Sequence, residues 1–282
     1  MGEVTSQSSK AYIAGFLDGD GSIFISRRAN SFILRVSFAN VNREVIERIE
    51  GILKAFGSKA RIEEKTKFSK PNRKKEFLIG YCGHTAKNIC EFLLPVLILK
   101  RKQAESALAF PVGNRGISFT DEDKEIQRML YYKMKILNQG CRIKTPEKNL
   151  REEDNAWLAG FFDAEGSISI AKSGTCFRLL VRVTNTNRTV LEYIKEKFAP
   201  KGKIVHENFA HRKTVYYFYI CGNAAKYFLK LILPYLIVKK ERELIATAFP
   251  ISERGLYTTA AEKNGQRLSH IQMASLNKQG ER

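Results

Sequence analysis

Two acidic residues stand out by type and place. Asp20 and Glu165 lie within two matching stretches, AYIAGFLDGDGSIFI over 11–25 and AWLAGFFDAEGSISI over 156–170, so the acids are 145 residues apart at matching positions. Read as helices, both stretches carry small residues four apart, Gly15 with Gly19 and Gly160 with Ala164. Positions i and i+4 share a helix face, and small side chains there let two backbones approach closely. Helices packed along that face would bring Asp20 and Glu165 together at their C-terminal ends. A carboxylate there opposes the negative end of the helix dipole at a cost of about 0.3–1 kcal/mol, and two adjacent carboxylates repel each other. Divalent cations relieve both costs, since Mg²⁺ is held by one or two carboxylates with water and phosphate oxygens. Acids holding metal beside a phosphodiester suit metal-assisted hydrolysis. The structural alternative makes both acids helix-terminal turn residues before C′ glycines, Gly21 and Gly166. Asp18 and Asp163, on the helices themselves, read as structural.

Lys100 and Lys239 form a second matching pair, each following an apolar run, VLIL in one case and LIV in the other. A lysine fixed there can stabilise charge on a phosphate or help activate water. The alternative is a lysine that ends an apolar helix face by snorkelling.

What must position these residues is a duplicated unit. The 145-residue offset also aligns VSFANVNREVIERI (36–49) with VRVTNTNRTVLEYI (181–194), and an offset of 139 then aligns 82–111 with 221–250. The six missing residues fall where KTKFSKPNRKKE (65–76) gives way to ENFAHRKTV (207–215), which reads as a hairpin tip. The predicted organisation is an N-terminal repeat over 1–138, a polar linker over 139–155 and a C-terminal repeat over 156–282. Two copies exclude a solenoid, which needs three or more. Ser9 and Asp154 are the expected N-caps of helices over 11–18 and 156–163. Strands are expected over 22–28 and 32–40, where Leu34, Val36 and Phe38 alternate with Arg35, Ser37 and Ala39. Val45, Ile49, Ile52, Leu53 and Phe56 then follow helical spacing, before strands over 59–67 and 76–82 and helices carrying the LLP and LILP runs. The reading is αββαββα twice, an α+β fold with helices on one face of an antiparallel sheet.

Composition bounds the partner. Lys+Arg of 48 against Asp+Glu of 29 leaves +19, which points to a polyanion and first to nucleic acid. Hydrophobic content of 44% with 11% aromatics argues against disorder. The apolar runs at 93–99 and 231–238 are too short for a bilayer, and MGEVTSQSSK has no apolar leader, so no membrane partner or export is expected. Five cysteines without a CxxC pair are expected to be reduced. His84 lies near Cys82, but no second pair at ligand spacing supports zinc.

IAGFLDGDGS (13–22) and LAGFFDAEGS (158–167) resemble the signature of the LAGLIDADG homing endonucleases, in the monomeric form with two motifs in one chain. The resemblance covers nearly the whole sequence and implies two pseudo-symmetric repeats, a saddle of antiparallel sheets and a central two-helix interface. It implies a site-specific, intron-encoded nuclease that cleaves double-stranded DNA with Mg²⁺ and works inside the cell, in an organelle if encoded there and otherwise in a microbial cytoplasm. By position, Asp20 and Glu165 would be the metal-binding acids, one for each strand, assisted by the backbone carbonyls of Gly19 and Ala164. Lys100 and Lys239 would lie near the scissile phosphate, and Asn42 and Asn187 would orient the water network. The sheet face opposite the core, with Ser26, Arg28, Arg35 and Ser37 in one copy and Ser169, Arg178, Arg182 and Thr184 in the other, would meet the major groove. Arg61, Lys65, Lys67, Arg73, Lys74 and Lys75, with Lys201, Lys203, Arg212 and Lys213, would add charge for phosphates and bases. On the last strand of the second copy the sequence leaves open whether Tyr217 and Tyr219 or Tyr216 and Phe218 face the DNA. Unlike halves imply an asymmetric target on the order of two duplex turns. An intron maturase acting on RNA and a non-catalytic DNA-binding regulator are the alternatives on the same scaffold.

Overall fold

The computed structural model describes residues 6–29, 31–54, 60–65, 75–113, 118–139, 152–174, 176–208, 210, 213–251 and 259–279. The first repeat runs α1 (Ser6–Asp20), β1 (Gly21–Arg28), β2 (Ser31–Asn40), α2 (Arg43–Leu53), β3 (Glu63–Lys65), β4 (Glu76–Cys82), α3 (Gly83–Leu93), α4 (Arg101–Leu108) and α5 (Asp121–Gln139). The second repeats the order as α6 (Glu152–Glu165), β5 (Gly166–Ser173), β6 (Cys176–Asn185), α7 (Arg188–Phe198), β7 (Lys203–Glu207), β8 (Val215–Cys221), α8 (Gly222–Ile232), α9 (Lys240–Ala248) and α10 (Ala260–Gln279). Two helices thus extend each expected αββαββα pattern. No helix among the described residues is long and apolar enough to cross a membrane.

Each sheet is antiparallel, in the order β1-β2-β4-β3 and β5-β6-β8-β7. Alternation sends Ile23, Ile25, Leu34, Val36, Phe38, Ile79 and Tyr81 into one core and Ile168, Ile170, Leu179, Val181, Val183, Phe218 and Ile220 into the other. Among the described residues, helices pack on that side of each sheet. Asn138 on α5 and Asn277 on α10 fasten these last helices by donating to the Ile23 and Ile168 carbonyls.

The chain divides into two units, the first comprising Met1–Ile143 with Glu152–Ala164 and the second Lys144–Arg151 with Glu165–Arg282. The second motif helix therefore packs mostly within the first unit. Gly15 and Gly160 explain how: a Cβ on Gly15 would fall on the Trp157 carbonyl oxygen, and one on Gly160 on the Tyr12 carbonyl oxygen. Only glycine permits this approach of α1 to α6, as the spacing of small residues suggests. Ala11 to Asp18 are buried throughout, and Trp157 stacks on Phe161 with ring centroids 5.2 Å apart.

Several boundaries differ from expectation. Helix α1 already runs from Ser6 and α6 from Glu152, so Ser9 and Asp154 lie inside first turns rather than at N-caps, and 152–155 belong to a helix rather than a linker. Helix ends are weakly specified by sequence when packing holds the first turn. Gly21 and Gly166 are the first residues of strands and not left-handed C′ residues; the described glycines with positive φ are Gly83, Gly174 and Gly222. Gly21 is needed for space instead, since a Cβ there would lie 2.7 Å from the Leu17 Cα. The apolar runs with proline are not continuous helices. Helix α3 ends at Leu93, Pro95 sits in a single 3₁₀ turn, and Leu97 turns extended (φ −71°, ψ 137°). Of the strand expected over 59–67, the described part 60–65 is strand only from Glu63.

Candidate active site

From Leu97 the chain bends through Ile98, Leu99 and Lys100 outside any helix, and an acid accepts from the backbone donors exposed there. The buried Asp18 carboxylate accepts from the Ile98 N–H (2.9 Å), the Lys100 N–H (2.8 Å) and the Trp157 indole (3.0 Å). Burial pushes the Asp18 pKa up, while the Lys100 charge and these donors pull it down. Asp163, also buried, accepts from the Tyr12 hydroxyl at 2.8 Å. Burial, then the neighbouring Asp163, drives the Tyr12 pKa well up. Both acids hold structure together, as their place on the helices suggests.

The side chain of Lys100 turns back onto the motif helix. Its Nζ donates to the carbonyls of Leu17 (2.7 Å) and Asp18 (2.6 Å), putting a cation at the negative end of α1. Lys239 occupies the corresponding place before α9, half-buried, with N-cap backbone angles close to those of Lys100 (φ −106°, ψ 11° against φ −97°, ψ 18°).

Asp20 lies in the first unit and Glu165 in the second. Asp20 is exposed, the last residue of α1, and its Oδ2 accepts from Asn40 Nδ2 at 2.9 Å. Glu165 is half-buried, the last residue of α6, and its Oε1 accepts from Asn185 Nδ2 at 3.1 Å. Asn40 and Asn185 end β2 and β6, and neither was among the expected site residues. Asn42 and Asn187, expected to orient the water network, cap helices: Asn42 Oδ1 accepts from the Glu44 and Val45 N–H groups, and Asn187 Oδ1 from that of Thr189. The signal for the missed pair was present, because N-x-N recurs at matching places in both repeats.

The outer sheet faces carry the expected polar residues. In the first unit Ser22, Ser26, Arg28, Arg35 and Ser37 alternate with the buried set, along with Phe24, Ile33, Ala39 and Cys82. Arg35 Nε donates to Ser26 Oγ at 3.0 Å, and the Ser22 and Ser37 hydroxyls are 2.7 Å apart. In the second unit Ser169, Arg178, Arg182, Thr184 and Lys203 share a face with Tyr217 and Tyr219, because Phe218 and Ile220 are buried. That settles which tyrosines point away from the core. Arg182 lies over the Tyr217 ring, 5.4 Å from its centroid, and the Tyr217 hydroxyl donates to Glu207 at 2.8 Å. Arg61 and Lys65 are exposed at β3, where Glu63, Glu64 and a Lys75–Glu64 ion pair dilute the expected positive charge. Lys67, Arg73, Lys74 and Arg212 lie outside the described residues.

Comparison with known proteins agrees with this architecture. The family profile described as LAGLIDADG-like domain matches residues 8–105 and 152–232. An uncharacterised protein of Methanocaldococcus jannaschii is 22% identical over 184 residues, and the chain spans about half the length of that curated relative, 51% against 65% of its own. Among solved structures, the LAGLIDADG homing endonuclease I-GzeII in complex with its DNA target superposes with a TM-score of 0.61 at 15% identity, covering 93% of this chain and 96% of that one. I-LtrWI bound to target DNA gives 0.57 at 18% identity (95% and 98%), and I-SmaMI bound to uncleaved DNA with calcium 0.57 at 16% (94% and 98%). At these identities the likeness is one of fold.

Proposed function

Since the chain belongs to the LAGLIDADG-like domain family, we propose that it is a site-specific endonuclease that hydrolyses both strands of a long, asymmetric DNA duplex with divalent metal. The observation that carries this reading is the repeated ending of each motif helix in a carboxylate, Asp20 or Glu165, held by an asparagine from the adjoining sheet.

The residues present fit a hard cation. The oxygens at each helix end, carboxylate and backbone carbonyl, are of the kind a hard cation takes. Asp20 and Glu165 would hold Mg²⁺, with the Gly19 and Ala164 carbonyls assisting. When bound, the metal would lower the pKa of water and offset charge on the leaving oxygen.

The chain's own groups do the rest. Lys100, bonded to the last carbonyls of α1, keeps a positive charge at the end of that helix that favours the approach of a phosphate, and Lys239, at the matching position before α9, is proposed for the same part in the second half. Arg35, Arg182, Arg178, Arg28 and Lys203 on the outer faces offer donors to base edges and phosphates, and a charge of +19 draws the duplex in. Unlike faces in the two units favour an asymmetric target read by a single chain, inside the cell that makes it.

Incubation of the chain with a library of long duplexes and Mg²⁺ tests this, with Asp20→Asn and Glu165→Gln run alongside. Double-strand cleavage at one sequence, lost in both variants, is the expected result. Cleavage that survives both substitutions overturns the assigned acids; selective DNA binding without cleavage favours a regulator, and selective binding of structured RNA a maturase.

A further inference from the structure

We infer that Asn40 and Asn185 are positioning residues for Asp20 and Glu165, each an amide clamp that fixes the rotation of a metal-holding carboxylate. The inference rests on the endonuclease reading for what the acids do, and on hydrogen bonds within each unit for how they are held.

An asparagine amide presents an acceptor on one side and donors on the other, so its orientation is defined only by partners of single character. Both amides have such partners. The Asn42 backbone N–H, which can only donate, lies 2.8 Å from Asn40 Oδ1, and this turns Asn40 Nδ2 onto the Asp20 carboxylate, which can only accept when ionised. The second unit repeats the arrangement independently: the Asn187 N–H donates to Asn185 Oδ1 at 2.8 Å, and Asn185 Nδ2 donates to Glu165. An aspartate at either position would face its acid with a like charge, and an alanine would leave both the acid and a backbone N–H without this partner.

Each clamp stands on a rigid base. Asn40 ends β2 and Asn185 ends β6, inner strands bonded on both sides, and the residue two further on begins a capped helix. The clamp also spans a chemical difference between the repeats. Asp20 and Glu165 differ by one methylene, yet the amide reaches both, at 2.9 Å and 3.1 Å. Groups that orient a metal ligand in this way typically affect metal affinity on the order of 10–100-fold.

Full-length Asn40→Ala and Asn185→Ala test the inference by two readouts. Titration of the free protein with Mn²⁺, followed by the EPR signal of unbound Mn²⁺, measures the ligands directly. The Mn²⁺ midpoint for cleavage of the selected target measures them in action. Both midpoints should rise on the order of tenfold in each variant, with duplex affinity in the absence of metal unchanged and cleavage restored at high Mn²⁺. A fall in melting temperature with no change in Mn²⁺ uptake would show that the asparagines serve only the fold, and overturns the inference. A parent chain that takes up no Mn²⁺ overturns it too. A parent chain that takes up Mn²⁺ with the expected shift in the variants, but cleaves nothing, upholds the clamp and overturns the endonuclease reading alone.

Discussion

The two sheets have matching cores and unlike outer faces. Beneath the surface, Ile23, Ile25, Leu34 and Val36 correspond to Ile168, Ile170, Leu179 and Val181, and all are buried. On the outside, the first sheet offers hydroxyls and an arginine pinned by Ser26, while the second offers two tyrosines and an arginine lying over a ring. Even the arginines sit on different rows: Arg35 pairs with Phe24 and Cys82, Arg182 with Ser167 and Tyr219. The core side is held by packing density, so a change in one residue strains many. The outer side answers to a partner and can diverge in each copy. The difference teaches that the duplication serves architecture, and that what each half recognises was set separately.

The strongest way to break the comparison is at the motif helices, where the repeats should be equal. Gly15→Ala and Gly160→Ala each drive a Cβ into backbone of the opposing helix, and both should destabilise the protein by about 3 kcal/mol, read from the urea midpoint. A large cost for one and none for the other would mean that the two motif helices are not equivalent partners.

The faces should then respond unequally. Arg35→Ala and Arg182→Ala should each weaken selected-target binding by about 1–3 kcal/mol, and each should relax sequence preference in a different half of the site. Tyr217→Phe leaves the ring under Arg182 but removes the bond to Glu207, and should cost less than Arg182→Ala. Relaxed preference in the same half for both arginines would contradict separate reading.

A core exception offers a subtler test. Glu243 on α9 stands where the first repeat has Ala104; it is fully buried, and neither carboxyl oxygen has a hydrogen-bond partner among the described residues. Burial pushes its pKa up from 4.5 to about 7. The folded protein then keeps a proton that the unfolded chain gives up, so the contribution of Glu243 to stability is greatest below pH 4.5, falls as pH rises to about 7, and levels off above it. Glu243→Gln should match the parent near pH 4 and melt progressively higher than it as pH rises to 8, where the parent has lost the contribution of the buried proton. Equal pH dependence in both proteins would show that Glu243 does not titrate in this range.

The smallest effect is expected at the helix caps. Asn42→Ala and Asn187→Ala should each lower stability by about 1 kcal/mol, measured by thermal melting.

Much of this was legible in the chain. Period-two alternation gave the strands, and the repeat offset gave the pairing of acids, lysines and asparagines, because local backbone geometry dictates which side chains share a face. The outward tyrosines were legible as well, had Phe218 and Ile220 been set against Ile79 and Tyr81 at the 139-residue offset. Less legible was the run at 97–100, where leucine density reads as helix; a proline and a buried acid that accepts its N–H groups hold it out of one. Asn40 and Asn42 could not be told apart, since both are polar residues at the end of a strand and only their partners separate clamp from cap.

By itself the sequence determined the duplication, the α+β order, the acids that end the motif helices and the basic balance, all of which follow from residue type and spacing. Tertiary structure alone decided which asparagine holds each acid, that Lys100 closes the end of α1, and that Asp18 ties down the segment at 97–100. These are matters of reach between segments distant in the chain, where a hydrogen bond depends on a few tenths of an ångström that no local pattern encodes.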